Sequence, residues 1–293
     1  MRILVTGGSG FVGRTFVKAA LSAGHDIMTL SRERQNSVSA GEHWAQGSIQ
    51  APPWEEIESF APDVCIHLAW IATPGVYLNS PENEHWLNWS VDFIERVCKG
   101  SVRRVVCVGT CIEYKITGLT LREDSAPLEP NSIYARSKHA LHKRLRRSLA
   151  GGDVTLTWAR LFYPYGPGEH PARLASSLLQ KLRAGESVAI NHPLSVKDYL
   201  YIDDVASGLL ALAQAGFDGP VNLGSGDPVT VGEIARRLGE LAGRPDLVRL
   251  PDAPVPDPLD FVVADSTRLR SIGWNPSVDL PTGLARLAQT LRS

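Results

Sequence analysis

Along this chain, short unbroken apolar runs alternate with longer stretches in which apolar residues recur three and four apart. The first pair sets the pattern. Ile3-Leu4-Val5 is a buried-strand run, and residues 11–23 carry Phe11, Val12, Phe16, Ala19 and Ala20 on one helical face, closed by Gly24. Further strands are expected at 26–30, 44–49, 63–69, 102–108, 154–161, 199–202 and 221–223. Helices are expected at 82–98, from Ser132 to about 149, and at 173–183, 203–215 and 230–242, with closing elements around 265–272 and 280–291. Residues 251–258 read as a proline-rich loop. Strands that alternate with helices and are apolar throughout predict a parallel sheet covered on both sides.

The fold class expected is therefore α/β: a Rossmann-type doubly wound parallel sheet with a smaller C-terminal α/β substrate domain. The large unit would comprise residues 1–160, rejoined by about 198–223, and the small one residues 161–197 and 224–293. On helix 82–98, Trp86, Trp89, Phe93, Ile94 and Val97 form a stripe better explained by a core than by a cofactor. The helix after Ser132 has one apolar seam, Leu141, Leu145 and Leu149, expected to pack on the protein's own sheet, and His67 reads as a satisfied core histidine.

Between the first strand and helix stands Thr6-Gly7-Gly8-Ser9-Gly10-Phe11-Val12-Gly13. Glycines at these spacings allow a tight turn, close backbone approach to a pyrophosphate and close helix packing. The helix N-terminus then favours the phosphates. A dinucleotide site is predicted on Gly7, Ser9, Gly10, Phe11, Val12 and Gly13. The second strand exits into Ser31-Arg32-Glu33-Arg34, without the carboxylate that holds a free ribose 2′-hydroxyl. A small hydroxyl and an arginine suit a 2′-phosphate, so NADP(H) is expected in preference to NAD(H). Ser48 and Ile49 end the third strand, where the adenine would lie. Leu68, Ala69 and Trp70 open the loop after the fourth.

Tyr134 and Lys138 are four apart on a helix and share a face. The ammonium is expected to lower the phenol's pKa, giving a general acid/base for a carbonyl or alcohol. Thr110, leaving a strand end that should face the nicotinamide, can donate to the same oxygen. The catalytic set expected is Thr110, Tyr134 and Lys138, the last two also touching the cofactor.

Composition adds limits. The 293 residues are 43% hydrophobic, and 30 Lys+Arg balance 31 Asp+Glu to a net charge of -1, which points to neither nucleic acid nor an anionic membrane as partner. The 4 cysteines have no metal-type spacing and fit a reducing compartment. The chain enters its first strand at once, and no apolar run reaches the roughly 18–20 residues of a membrane helix, so a cytoplasmic protein is expected. No metal is called for.

With these motifs in view, the chain resembles an extended short-chain dehydrogenase/reductase of the nucleotide-sugar epimerase/dehydratase/4-ketoreductase branch. The resemblance spans nearly the whole length, on residues 6–13, His67-Leu68-Ala69, Thr110 with Tyr114, Tyr134 with Lys138, and residues 160–167, 197–205 and 222–226. It implies a nucleotide-sugar substrate contacted by Tyr77, Cys111, Tyr163, Arg173 and Lys197. Tyr163 stands where the family commonly has asparagine, and Lys197 where it has an arginine that clamps the diphosphate; Arg173 or Arg249 would compensate. Dehydratases of the branch carry two acids directly after the catalytic threonine, and here those positions are Cys111 and Ile112. The expectation is an NADPH-dependent ketoreductase of a nucleotide-linked keto-deoxysugar, acting at C4. A nucleotide-sugar epimerase with bound NAD(P) is the alternative on the same residues, and a non-catalytic NADP sensor the third. A monomer or weak homodimer is expected, since the helix bearing Tyr134 has only one apolar seam.

Overall fold

Residues 1–33, 39–253 and 255–290 are described by the structure, a computed structural model. Alternation of strand and helix gives β1 (Arg2–Thr6), α1 (Phe11–Ser22), β2 (Asp26–Ser31), β3 (Glu42–Gln46), α2 (Trp54–Phe60), β4 (Val64–His67), α3 (Glu82–Cys98) and β5 (Arg104–Thr110). A single turn of 3-10 helix, Cys111–Glu113, leads on to α4 (Ile133–Ser148) and β6 (Thr155–Leu161). The remainder is β7 (Tyr163–Tyr165), α5 (Leu174–Arg183), β8 (Val188–Ala189), β9 (Val196–Tyr201), α6 (Ile202–Ala215), β10 (Gly219–Leu223), β11 (Pro228–Thr230), α7 (Val231–Leu241), β12 (Val248–Arg249), β13 (Phe261–Val262), α8 (Thr267–Ser271) and α9 (Leu280–Thr290).

Seven strands form one sheet in the order β10-β6-β5-β4-β1-β2-β3, every pairing parallel. Side chains alternate faces along a strand, so both faces must be covered. Ile3, Val5, Ile27 and Ile66 pack with α1 and α6 on one side. Leu4, Met28, Cys65 and Val105 pack with α2, α3 and α4 on the other. Leu141 and Leu145 of α4 are fully buried there beside Trp158, so the seam does pack on the protein's own sheet. Phe93, Ile94 and Val97 of α3 join them, while Trp86 and Trp89 stay half-buried. This is the doubly wound α/β fold that the apolar pattern predicts.

A smaller sheet gathers around β9, which pairs antiparallel with β11 and parallel with β13 and β7. The fully buried Asp198 fastens it to the end of β10: its carboxylate accepts the N–H and hydroxyl of Ser225 and the N–H groups of Gly226 and Ala264. Local boundaries differ from expectation in several places, β5 running over Arg104–Thr110 rather than 102–108 and β9 over Val196–Tyr201 rather than 199–202. The third strand runs over Glu42–Gln46 rather than 44–49, because the chain turns back at Gly47, where a Cβ would lie 2.8 Å from the Ala51 carbonyl oxygen. The seven-residue α2 is too short to show a period, although Glu55 and Glu56 in its first turn suit the helix dipole.

Candidate functional site

The strand order reverses between β1 and β4, and the loops after these two strands lie side by side. Leu68 N–H donates to the Thr6 carbonyl at 3.1 Å, and Ala69 N–H to Thr6 Oγ1 at 3.3 Å. Glycine is required here by contact. Gly7 has φ +72°, and a Cβ on it would lie 2.7 Å from Ala69 N; one on Gly13 would lie 2.1 Å from the Gly7 carbonyl oxygen. Gly10 is the N-cap of α1, whose first turn carries no acid, and Ser9 is exposed beside it. Phe11 and Val12 begin the helix half-buried. Such a turn can hold a pyrophosphate against the positive end of α1.

Ser31 closes β2 half-buried, with exposed Arg32 beyond it. The Gly47 N–H donates to the Ser31 carbonyl at 2.8 Å, bringing Ser48 and buried Ile49 to the same sheet corner. Arg34 lies outside the described residues. At the end of β4, His67 is fully buried between Thr6 Oγ1 and Ser90 Oγ, each 2.9 Å from a ring nitrogen, and burial lowers its pKa to about 3. It is a neutral structural group.

The following loop folds over the start of α4 because one buried amide collects it. Asn83 accepts the Trp70 indole N–H at 2.8 Å and donates to the carbonyls of Tyr77 and Ser80 at 2.6 and 2.8 Å. Tyr134 N–H donates to the Leu78 carbonyl at 3.0 Å. The Tyr77 ring meets the Tyr134 ring edge-on, with centroids 4.8 Å apart. Lys138 is buried; its ammonium donates to the Val108 carbonyl at 2.9 Å and sits 4.0 Å from the centre of the Trp70 ring.

One electrostatic expectation is overturned. The Tyr134 phenol is pushed above its usual range, not below it: burial is the main cause, Tyr77, Glu113 and Cys111 add to it, and a hydrogen bond with Thr110 opposes. The Lys138 ammonium, directed to the Val108 carbonyl and the Trp70 ring, does not outweigh that burial. Lys138 itself falls to about 8 through burial, with Cys107 and Glu113 opposing. Tyr134 is thus held as a phenol, the proton-carrying form.

Around it the structure gathers most of the residues implied for substrate. Cys111 is buried and its thiol is pushed up to about 12. Tyr163 lies on β7 beside Tyr199 of β9, ring centroids 5.6 Å apart; burial raises its phenol first, and the neighbouring Cys111, Tyr199, Asp257 and Tyr77 raise it further. Arg173 caps α5 half-buried, and its charge bears on Tyr77 and Glu169. Lys197 is buried in a pair with Asp257, Nζ to Oδ2 3.1 Å, and also donates to the Leu259 carbonyl, so its ammonium already has protein partners. Arg249 stands apart on β12, bonded to the Asp246 carbonyl.

Two residues that the sequence reading left out organise this site. Glu113 accepts the Thr110 backbone N–H at 2.9 Å, and Asn83 holds the loop over Tyr134. Glu113 had a local signal, the threonine-x-x-glutamate spacing of a capping box, which the structure forms. Asn83 had none. Among the described residues, no cluster of His, Cys, Asp and Glu could hold a metal ion, and no helix is long and apolar enough to cross a membrane.

The model of the NAD dependent epimerase/dehydratase family matches residues 3–224. A UDP-glucose 4-epimerase of Mycolicibacterium smegmatis is 27% identical over 315 residues, covering 100% of this chain and 99% of that protein. UDP-glucuronic acid decarboxylase 6 of Arabidopsis thaliana is 25% identical over 317 residues, covering 100% and 89%. In fold, the chain is similar to the crystal structure of a Thermus thermophilus UDP-glucose 4-epimerase in complex with NAD, with TM-score 0.84 at 24% identity, covering 100% and 99% of the two chains.

Proposed function

The chain belongs to the NAD dependent epimerase/dehydratase family of enzymes, and from that membership we propose that it is a reductase of a nucleotide-linked keto-deoxysugar, acting at C4 and drawing on NADPH. The observation that carries the reading is a Tyr134 held as a phenol against Thr110, with no acid at either of the two positions after that threonine. The cradle fits a dinucleotide, because the backbone at Gly7 and Gly13 approaches so closely that a Cβ would fill it. Residues 7–13 would hold the pyrophosphate, Ser31 and Arg32 the 2′-phosphate, Ser48 and Ile49 the adenine side, and Leu68, Ala69 and Trp70 the middle of the molecule. Tyr134 and Lys138 would meet the nicotinamide ribose.

The bound nicotinamide supplies the hydride. Thr110 donates a hydrogen bond to the substrate carbonyl and orients it. Tyr134 gives its phenolic proton to that oxygen, so the carbonyl becomes a secondary alcohol, and Tyr134 is reprotonated before the next turnover. Lys138, with a pKa of about 8, is mostly an ammonium at neutral pH and stabilises the transient phenolate. Elimination of water needs a further acid and base beside the sugar, in addition to Tyr134. The Cys111 thiol, pushed up to about 12, and the Ile112 side chain supply neither. Tyr77, Cys111 and Tyr163 would line the sugar, with Arg173 and the Lys197–Asp257 pair further out.

The rival is a nucleotide-sugar epimerase, favoured by the UDP-glucose 4-epimerase of M. smegmatis among the relatives. The two separate in one experiment. Purified protein is given a UDP-linked 4-keto-6-deoxyglucose with NADPH or NADH, and loss of reduced nicotinamide is followed. Stoichiometric consumption of NADPH, lost in Tyr134→Phe and weakened for NADPH alone in Arg32→Ala, supports the reductase. Bound oxidised cofactor with no net consumption supports the epimerase, and a preference for NADH removes the argument from Ser31 and Arg32. The buried seam of α4 favours a monomer or weak homodimer, which sedimentation tests.

A further inference from the structure

The partners of Thr110 lead away from the cleft into a buried polar chain. Glu113 is wholly buried, three residues beyond Thr110. Its Oε1 accepts the Thr110 N–H at 2.9 Å. The Trp158 indole N–H donates to Oε1 and Oε2 at 3.1 and 3.2 Å, and Arg160 Nε donates to Oε2 at 3.2 Å. Arg160 Nη1 then donates to the Tyr114 hydroxyl at 2.9 Å, and Tyr114 donates to Asn222 Oδ1 at 2.8 Å. Asn222 Nδ2 ends the chain on the Leu121 carbonyl at 2.7 Å and the Asp265 carbonyl at 3.2 Å. The path runs from β5 across β6 to β10. Its tightest point is Gly109, where a Cβ would lie 2.3 Å from Trp158 Nε1 and 2.6 Å from Glu113 Oε1.

A buried ion pair is a weak device for stability, since apolar residues in place of both partners are often neutral or better. This one is placed on the backbone of the residue whose hydroxyl faces Tyr134. We propose that Glu113 is a positioning residue: its carboxylate, aimed by Trp158 and Arg160, fixes the Thr110 backbone and hence the direction from which the Thr110 hydroxyl meets Tyr134 and the substrate carbonyl. The inference rests on the roles given above to Thr110 and Tyr134. The Glu113 charge also favours the protonated forms of both Tyr134 and Lys138, so one carboxylate serves geometry and proton inventory together.

Two double variants separate this from a merely structural role. Glu113→Leu with Arg160→Met removes both charges and the acceptor; Glu113→Gln with Arg160→Met removes the charges but leaves an acceptor for the Thr110 N–H. With NADPH and the UDP-linked 4-keto-6-deoxyglucose, the first is expected to lose about tenfold or more in kcat at nearly unchanged KM, and the second to recover most of that loss. Hydrogen exchange at the Thr110 amide is expected to quicken by about tenfold in the first variant and to stay slow in the second. Parental kcat in the first variant overturns the inference, and so does parental exchange at Thr110. If the first variant does not fold, Glu113→Asp takes its place, since the shorter side chain withdraws the acceptor while keeping the charge; parental kcat and exchange there overturn the inference equally. Tyr134→Phe is measured alongside. Turnover by Tyr134→Phe sinks the reading of the site as a whole, whereas an inactive Tyr134→Phe beside a fully active Glu113 variant sinks only the positioning role.

Discussion

Acid should weaken this protein through His67. That imidazole is fully buried at the end of β4, against Thr6 and Ser90, and burial, with the Lys138 charge second, takes its pKa from 6.5 to about 3. The unfolded chain takes up a proton near pH 6.5, while the native chain takes it up only near pH 3. Between those values the unfolded state binds more protons, so the contribution of His67 to stability falls as pH falls. At roughly 1.4 kcal/mol per pH unit, about 3 kcal/mol is lost between neutral pH and about pH 4.5. Urea unfolding of the parent and of His67→Gln at the two pH values isolates this term, because the carboxylates and the other histidines titrate in both proteins. The stability of the parent relative to His67→Gln is expected to drop by about 3 kcal/mol on acidification. A difference that stays constant to within about 0.5 kcal/mol would show that His67 is not held neutral, and the reasoning from burial would fail. The site would feel the change, because protonation makes both ring nitrogens donors and Thr6 Oγ1 already takes the Ala69 N–H beside the glycine turn.

Three further outcomes are expected. Gly13→Ala puts a methyl 2.1 Å from the Gly7 carbonyl oxygen, so a rise in melting temperature on adding NADPH or NADH is expected in the parent and not in the variant; an equal rise in both would contradict the cradle. Asn83→Leu strands the Trp70 indole N–H and two carbonyls, so it should cost about 2 kcal/mol or more in urea unfolding and shift the tryptophan emission of the loop. Leu141→Ala removes a side chain with no exposed surface and should cost about 2–5 kcal/mol, read as a lower urea midpoint at constant slope; a loss below about 1 kcal/mol would place the seam outside the core.

The large sheet was readable because its strands are buried on both faces and written as continuous apolar runs. The glycine turn was readable because contact leaves no room for a Cβ at Gly7 or Gly13. What escaped depends on partners distant in sequence. The direction of the Tyr134 shift turns on burial, with Tyr77, Glu113 and Cys111 brought around the phenol from other parts of the chain. Likewise Lys197 reads as a free cation until Asp257 is found 3.1 Å away. The strands of the small sheet, several only two or three residues long, carry no period to detect. Glu113 differs from these cases, since its spacing from Thr110 was visible in the sequence itself.

The position of β10 bears on how the chain must be made. Strands β1 to β6 leave the ribosome in an unbroken series, but β10 follows only after residues 162–218 have been synthesised. Until then β6 is an open border, with the backbone of residues 157–161, Trp158 and Ala159 among them, lacking the partners it finds on β10. Unpaired parallel strands of this kind invite pairing with other nascent chains. A fragment that stops before Gly219 should therefore precipitate where the longer chain folds.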